Sequence, residues 1–158
     1  MKQLPKGITD FGKPEENESI SELEFKLFCY KLLVEFKYVE LEVIELSSGN
    51  YYLGKLKTNN KELCILMNRH YPIVGLADYY DYGIANFIDH KEICEYINSE
   101  NRLLTLESTY KHYRCMSVLD LEREVDEVTL KLLDSQEIRQ INYWKPQKVK
   151  DIVFNNWD

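Results

Sequence analysis

YVELEVIELSSGNYYLGKLKTNNKELCILMN, residues Tyr38 to Asn68, decides the fold, because within it the apolar period drops to two. Val39, Leu41 and Val43 alternate with Glu40, Glu42 and Ile44, the pattern of a half-exposed strand. SSGN at 47–50 is a turn cluster, and YYLGKLK at 51–57 reads as a second strand. TNNK then turns the chain again into ELCILMN, a third strand. Tight connections make these an antiparallel meander. IVGLADY, starting at Ile73, adds a fourth strand, with Gly75 marking a bulge or a close approach.

Outside the meander the pattern is helical. Residues 1–18 hold Pro5, Gly7, Gly12, Pro14 and the acids Glu15, Glu16 and Glu18, and read as an irregular arm packing through Leu4, Ile8 and Phe11. Ser19 and Glu22 have capping-box spacing, and Leu23, Leu27, Tyr30 and Val34 form one face of a helix over about 20–35. Asp89 with Glu92 repeats the capping spacing before Ile93, Tyr96 and Ile97. LLTLES at 103–108 fits strand or helix. VLDLEREVDEVTLKLL places Leu121, Val125, Val128 and Leu132 at helical spacing, although its β-branched content leaves room for a strand. Asp134 and Glu137 cap a further helix through Ile138, Ile141 and Tyr143 or Trp144. A last one, with Pro146 in its first turn, presents Val149, Ile152, Val153 and Trp157. The expected fold is α+β in a single domain, 1–158: an N-terminal helix on an antiparallel meander of three to five strands, with more helices in the C-terminal half.

A formal charge of −7 and a pI near 5.1 argue against nucleic acid or an anionic membrane as the main partner. They suit a protein partner and permit a basic one. No apolar run reaches membrane-spanning length, and MKQLPKGITDFGKPEENES has no hydrophobic signal region, so cytoplasm is the expected compartment. Cys29, Cys64, Cys94 and Cys115 include no CxxC pair and read as four reduced thiols. With His70, His90 and His112 they show no close ligand spacing, so neither metal nor cofactor is expected.

No phosphate loop, GxSxG elbow or HExxH is present. Glu24-Phe25-Lys26 and Glu35-Phe36-Lys37 match the E-x-K element of metal-dependent nucleases, but both fall in or at the end of a predicted helix and lack an upstream strand aspartate. Arg139, Lys145, Lys148 and Lys150, with Tyr143 and Trp144 between them, form a local basic segment in a negative protein.

ADYYDYG, Ala77 to Gly83, packs three tyrosines and two aspartates into seven residues. As a regular strand it would put Asp78, Tyr80 and Tyr82 on one face and Tyr79 with Asp81 on the other. Both faces would then mix acid with aromatic, which favours a turn or loop. From Ala77 to Glu100 the acids Asp78, Asp81, Asp89, Glu92, Glu95 and Glu100 face Lys91 alone. Tyrosine among carboxylates gives stiff contact area plus charge complementary to a basic partner. Asp78, Tyr79, Tyr80, Asp81, Tyr82, Glu92, Glu95 and Tyr96 are therefore the candidate partner-binding residues, and no catalytic residue is assigned. The reading favoured is a non-enzymatic inhibitor or immunity-type protein that binds a basic bacterial toxin domain. An adaptor or regulatory domain is the first alternative, and a small metal-dependent hydrolase or nuclease with an unrecognised site is the second.

Overall fold

The computed structural model describes residues 2–15, 19–99 and 112–158. Glu16, Glu18, Glu100 and the ambiguous stretch 103–108 lie outside the described residues.

Helix α1 spans Glu22–Glu35. Its cap is Ser21 rather than the expected Ser19, because SISELE contains two overlapping Ser-x-x-Glu registers. Ser21 Oγ accepts from the Glu24 amide at 3.1 Å, and Glu24 Oε1 accepts from the Ser21 amide at 3.2 Å. This register lets Ile20, just before the cap, share a core cluster with Phe25 one turn on, as a hydrophobic staple. The buried face also differs from the expected one: Phe25, Phe28, Cys29 and Leu32 point inward, while Leu23, Tyr30 and Val34 are exposed. The helix is apolar on two sides, so periodicity alone could not choose which side met the sheet.

Strands β1 (Glu40–Ile44), β2 (Tyr51–Lys57), β3 (Glu62–Asn68), β4 (Ile73–Asp81) and β5 (Ile84–Phe87) follow one another in meander order, each antiparallel to the next. A short β6 (Arg114–Cys115) joins the start of β4 in parallel, with Ile73 opposite Arg114. β3 is covered on both faces, which its unbroken apolar run LCILM requires. Leu63, Ile65 and Met67 face α1, and Cys64 and Leu66 face the other way. Gly75 on β4 permits a close approach, since a Cβ there would lie 2.8 Å from both Phe87 and Phe154.

The sheet thus separates two cores. On one side lie α1 and α2 (Lys91–Ser99), with Ile93 and Ile97 buried. On the other lie the N-terminal arm, α3 (Val118–Leu121), α4 (Glu127–Leu130), α5 (Ser135–Trp144) and α6 (Lys150–Val153). α2 is not capped by Asp89: His90 Nδ1 accepts from the Ile93 amide at 3.3 Å, and Asp89 accepts from the Val118 amide at 2.9 Å. The stretch 118–133, whose spacing fitted a helix but left room for a strand, forms two one-turn helices, because residues 123–125 run alongside 147–149. Val125 donates to Gln147 O, and Val149 donates to Arg123 O. Asp126 caps the second turn, leaving Val128 and Leu132 exposed. Pro146 precedes α6 rather than sitting in its first turn; it follows Lys145, which closes α5 at φ 52.

Polar side chains fix the arm. Glu137 is fully buried and accepts from the Gly7 amide (2.8 Å), the Thr9 amide (3.2 Å), Thr9 Oγ1 (2.5 Å) and the Asp134 amide (3.3 Å). Asn50 Nδ2 donates to Ile8 O and Ile152 O, and Asn68 Nδ2 donates to Ile8 O and Val153 O. Asn155 Nδ2 donates to Thr9 O, and its amide donates to Asn50 Oδ1. The three asparagines therefore tie the arm, the ends of β2 and β3, and the chain after α6 into one buried network.

The thiols depart from expectation at one pair. Cys94 on α2 and Cys115 on β6 form a disulfide, with Cα atoms 5.4 Å apart. They stand 21 positions apart in sequence, so nothing local announced the pairing; it follows from α2 packing beside β6. Cys29 and Cys64 are free and buried. Burial pushes the Cys29 thiol well up, and burial with the charge of Glu62 pushes Cys64 up to about 11.

Two outcomes are expected. Glu137→Ala strands buried donors of the arm and should lower unfolding free energy in urea by about 3–5 kcal/mol. Thiol titration of the denatured, unreduced chain should count two reactive cysteines, Cys29 and Cys64, with Cys94 and Cys115 appearing only after reduction.

Candidate functional site

ADYYDYG is neither a loop nor a regular strand. β4 continues through Asp81, and its register against β5 shifts between Ala77, opposite Phe87, and Tyr79, opposite Asn86. Asp78 is the extra residue of a β-bulge. Its carboxylate accepts from Asn86 Nδ2 at 2.6 Å. The bulge reverses the alternation beyond it. Ala77 and Tyr80 now share the arm-side face, and Tyr79 turns out to solvent.

Each tyrosine therefore has a different task. Tyr80 is half-buried against the arm-side core, and its hydroxyl lies 2.6 Å from that of Tyr51. Tyr51 OH donates to Asn156 Oδ1 at 2.8 Å, so the proton between the two tyrosines comes from Tyr80. Burial, followed by the Tyr80 hydroxyl, pushes the Tyr51 phenol well up, so it stays neutral. Tyr79 is exposed and donates to Asp81 Oδ2 at 3.3 Å, and the Asp81 charge raises its phenol.

Tyr82 and Gly83 form the turn between β4 and β5, at φ 46 and 84. Two consecutive positive φ values make a type I′ hairpin, whose twist matches that of the strands it joins. Glycine is required at 83 on two counts, since a Cβ would also lie 2.9 Å from Asn156 Nδ2. Tyr82 is 95% exposed, and Ile84 beside it 71%. The hairpin thus presents Tyr79, Asp81, Tyr82 and Ile84 outward from a backbone held by the Tyr80–Tyr51–Asn156 bonds. Beneath it lies a cleft of about 490 Å³, walled by Tyr80 to Gly83 on one side and by Ile44 to Ser48 with Lys55 on the other.

The residues singled out on α2 stand apart from this tip. Glu92 and Glu95 are exposed, and Tyr96 is half-buried edge-on to Phe36 at 5.4 Å, on the α1 side of the sheet. Tyr80 belongs to the opposite core, so the eight candidates form two groups rather than one face.

Other chemical candidates have structural partners. Glu24, of the first E-x-K match, is the capping carboxylate of α1, and Glu35, of the second, is the exposed last residue of that helix. His70 Nε2 lies 2.6 Å from Asp10 Oδ1. In the basic segment Lys150 pairs with Glu122 at 2.6 Å, and Trp144 stacks on Trp157 with ring centroids 6.2 Å apart. Among the described residues no group of three His, Cys, Asp or Glu side chains is arranged to hold a metal. Tyr51, Asn156 and Ile84 were not found in the sequence. Ile84 had a usable signal, since a two-residue Tyr-Gly connection between strands marks a hairpin. Tyr51 and Asn156 had none, their roles depending on contacts across the fold.

The tyrosines should separate in urea unfolding. Tyr80→Phe removes a half-buried hydrogen bond and should cost about 1 kcal/mol, whereas Tyr82→Ser should stay within about 0.5 kcal/mol of the parent.

No protein-family model matches the chain, and neither a curated protein nor a solved structure does.

Proposed function

We propose that this chain is a non-enzymatic protein-binding protein that meets a basic partner through the β4–β5 hairpin. The observation that supports this best is Tyr82, a large aromatic side chain in a left-handed backbone conformation that is 95% exposed. Holding a tyrosine there costs on the order of 1 kcal/mol, and no packing among the described residues offsets it. A partner's surface would offset it, by covering Tyr82 together with Tyr79 and Ile84. Asp78 and Asp81 beside them supply the negative charge that steers a cationic surface to the tip. An inhibitor of a basic toxin domain, the immunity type of protein, is the specific role this combination fits. No described helix is long and apolar enough to cross a membrane.

A triple variant, Tyr79→Ser with Asp81→Asn and Tyr82→Ser, tests the surface without touching Tyr80. The full chain, immobilised, is used to isolate a partner, and calorimetry then compares parent and variant at low and moderate salt. The variant should bind at least about a hundredfold more weakly and lose most of its salt dependence. A partner that binds both within twofold makes the hairpin the wrong surface.

A further inference from the structure

The Cys94–Cys115 bond is placed to govern one element rather than the whole fold. α2 has nine residues, too few to persist as a helix without packing, so it depends on what it rests against. Its buried side chains are Ile93 and Ile97, Tyr96 meets Phe36 edge-on, and β6 lies alongside it. Asn98 Oδ1 accepts from the Cys115 amide at 2.9 Å. The disulfide and this hydrogen bond both tie the helix to β6.

β6 has a footing of its own. Arg114 donates to Pro72 O and Met116 to Val74 O, and Tyr113 is buried with its ring 4.7 Å from that of Phe28. Opening the disulfide therefore leaves β6 on the sheet and removes the covalent link that holds α2 to it. The ladders from β1 to β5, and α1 packed on β1 and β2, do not involve the bond.

The pair is also chemically self-contained. Cys29 lies on the α1 side of the sheet and Cys64 on the other, both buried, and burial raises both thiols. Neither supplies at neutral pH the thiolate that would attack the disulfide, so it does not reshuffle within the chain. Attack comes from outside, at Cys94, which is half-buried, whereas Cys115 is 8% exposed. A thiolate of a dithiol reductant bonds to Cys94 Sγ, the S–S bond breaks, and Cys115 leaves as a thiolate that takes up a proton. The reductant's second thiolate then displaces Cys94, which is protonated in turn. Two electrons and two protons pass to the pair, and the reductant ends as a disulfide.

We infer that Cys94–Cys115 is a redox latch: oxidised, it holds α2 on β6, and reduced by an external dithiol it frees α2 while α1 and the sheet stay folded. The latch lies apart from the β4–β5 hairpin and works whether or not the hairpin binds a partner.

The full chain, reduced with dithiothreitol under native conditions, is alkylated for mass spectrometry and followed by amide hydrogen exchange. Cys94 and Cys115 should be labelled, and Cys29 and Cys64 spared. Exchange across 91–99 should speed up at least about tenfold, while the amides of β2 to β4 stay within about twofold of the oxidised chain. Cys94→Ser with Cys115→Ser should behave as the reduced chain, and reoxidation of the parent should restore slow exchange. Unchanged exchange over 91–99 in the reduced chain overturns the inference. A rise throughout the sheet makes the bond a staple of the whole fold and overturns it as well. So does a pair that resists reduction until the chain is denatured, or a reduction that opens Cys29 or Cys64 to the label.

Discussion

The buried carboxylate of Glu137 and the asparagines Asn50, Asn68 and Asn155 hold together what hydrophobic burial alone would leave adjustable. The described arm makes only turn bonds of its own, Ile8 donating to Pro5 O and Asp10 to Gly7 O, so its other buried amides and carbonyls need partners from elsewhere. Glu137 satisfies the amides of Gly7 and Thr9, and the asparagines satisfy the carbonyls of Ile8 and Thr9. Because these acceptors and donors are directional, they set where Leu4 and Ile8 enter the core, which apolar contact would not specify. The same asparagines bond Ile152 O and Val153 O, so the register of α6 on the sheet is set by the same groups.

The hairpin inherits its rigidity from this arrangement. Asn155 is anchored in the network, and its neighbour Asn156 accepts the Tyr51 hydroxyl, which in turn accepts from Tyr80. A chain of bonds therefore runs from the buried asparagines to the base of the β4–β5 tip, while Tyr79 and Tyr82 at the tip bear none of it. Separation of the bonded base from the exposed tip is what the proposed binding role would require, because ordering on association would then cost little.

Much of the fold was legible in sequence, and its failures share a cause. Alternation in ELEVI and the unbroken LCILM run located an edge strand and a central strand, because burial on one or two faces leaves those patterns. Asp134 with Glu137 marked a helix start correctly, although spacing could not show that Glu137 also reaches the arm. In α1 the period was right and the direction wrong, since Leu23–Val34 and Phe25–Leu32 are both apolar and only contact with the sheet distinguishes them. The break between Glu122 and Asp126 was invisible because it depends on backbone bonds with Gln147 and Val149, residues distant in sequence. In ADYYDYG the failure of alternation was read correctly as an irregularity, but a bulge explains it better than a loop. One inserted residue is enough to put Tyr79 and Tyr80 in unlike surroundings.

The stitching of Ile8 and Thr9 by Asn155 also constrains the order of events during synthesis. Helix α1, the meander, α2 and β6 supply the α1-side core from residues up to Cys115, so that half can condense well before the last helices leave the ribosome. The arm is made before the sheet, yet its docking site is incomplete until Asn155 has emerged. Leu4 and Ile8 must wait, uncovered, until then, so residues made before the sheet are among the last to be built into the fold.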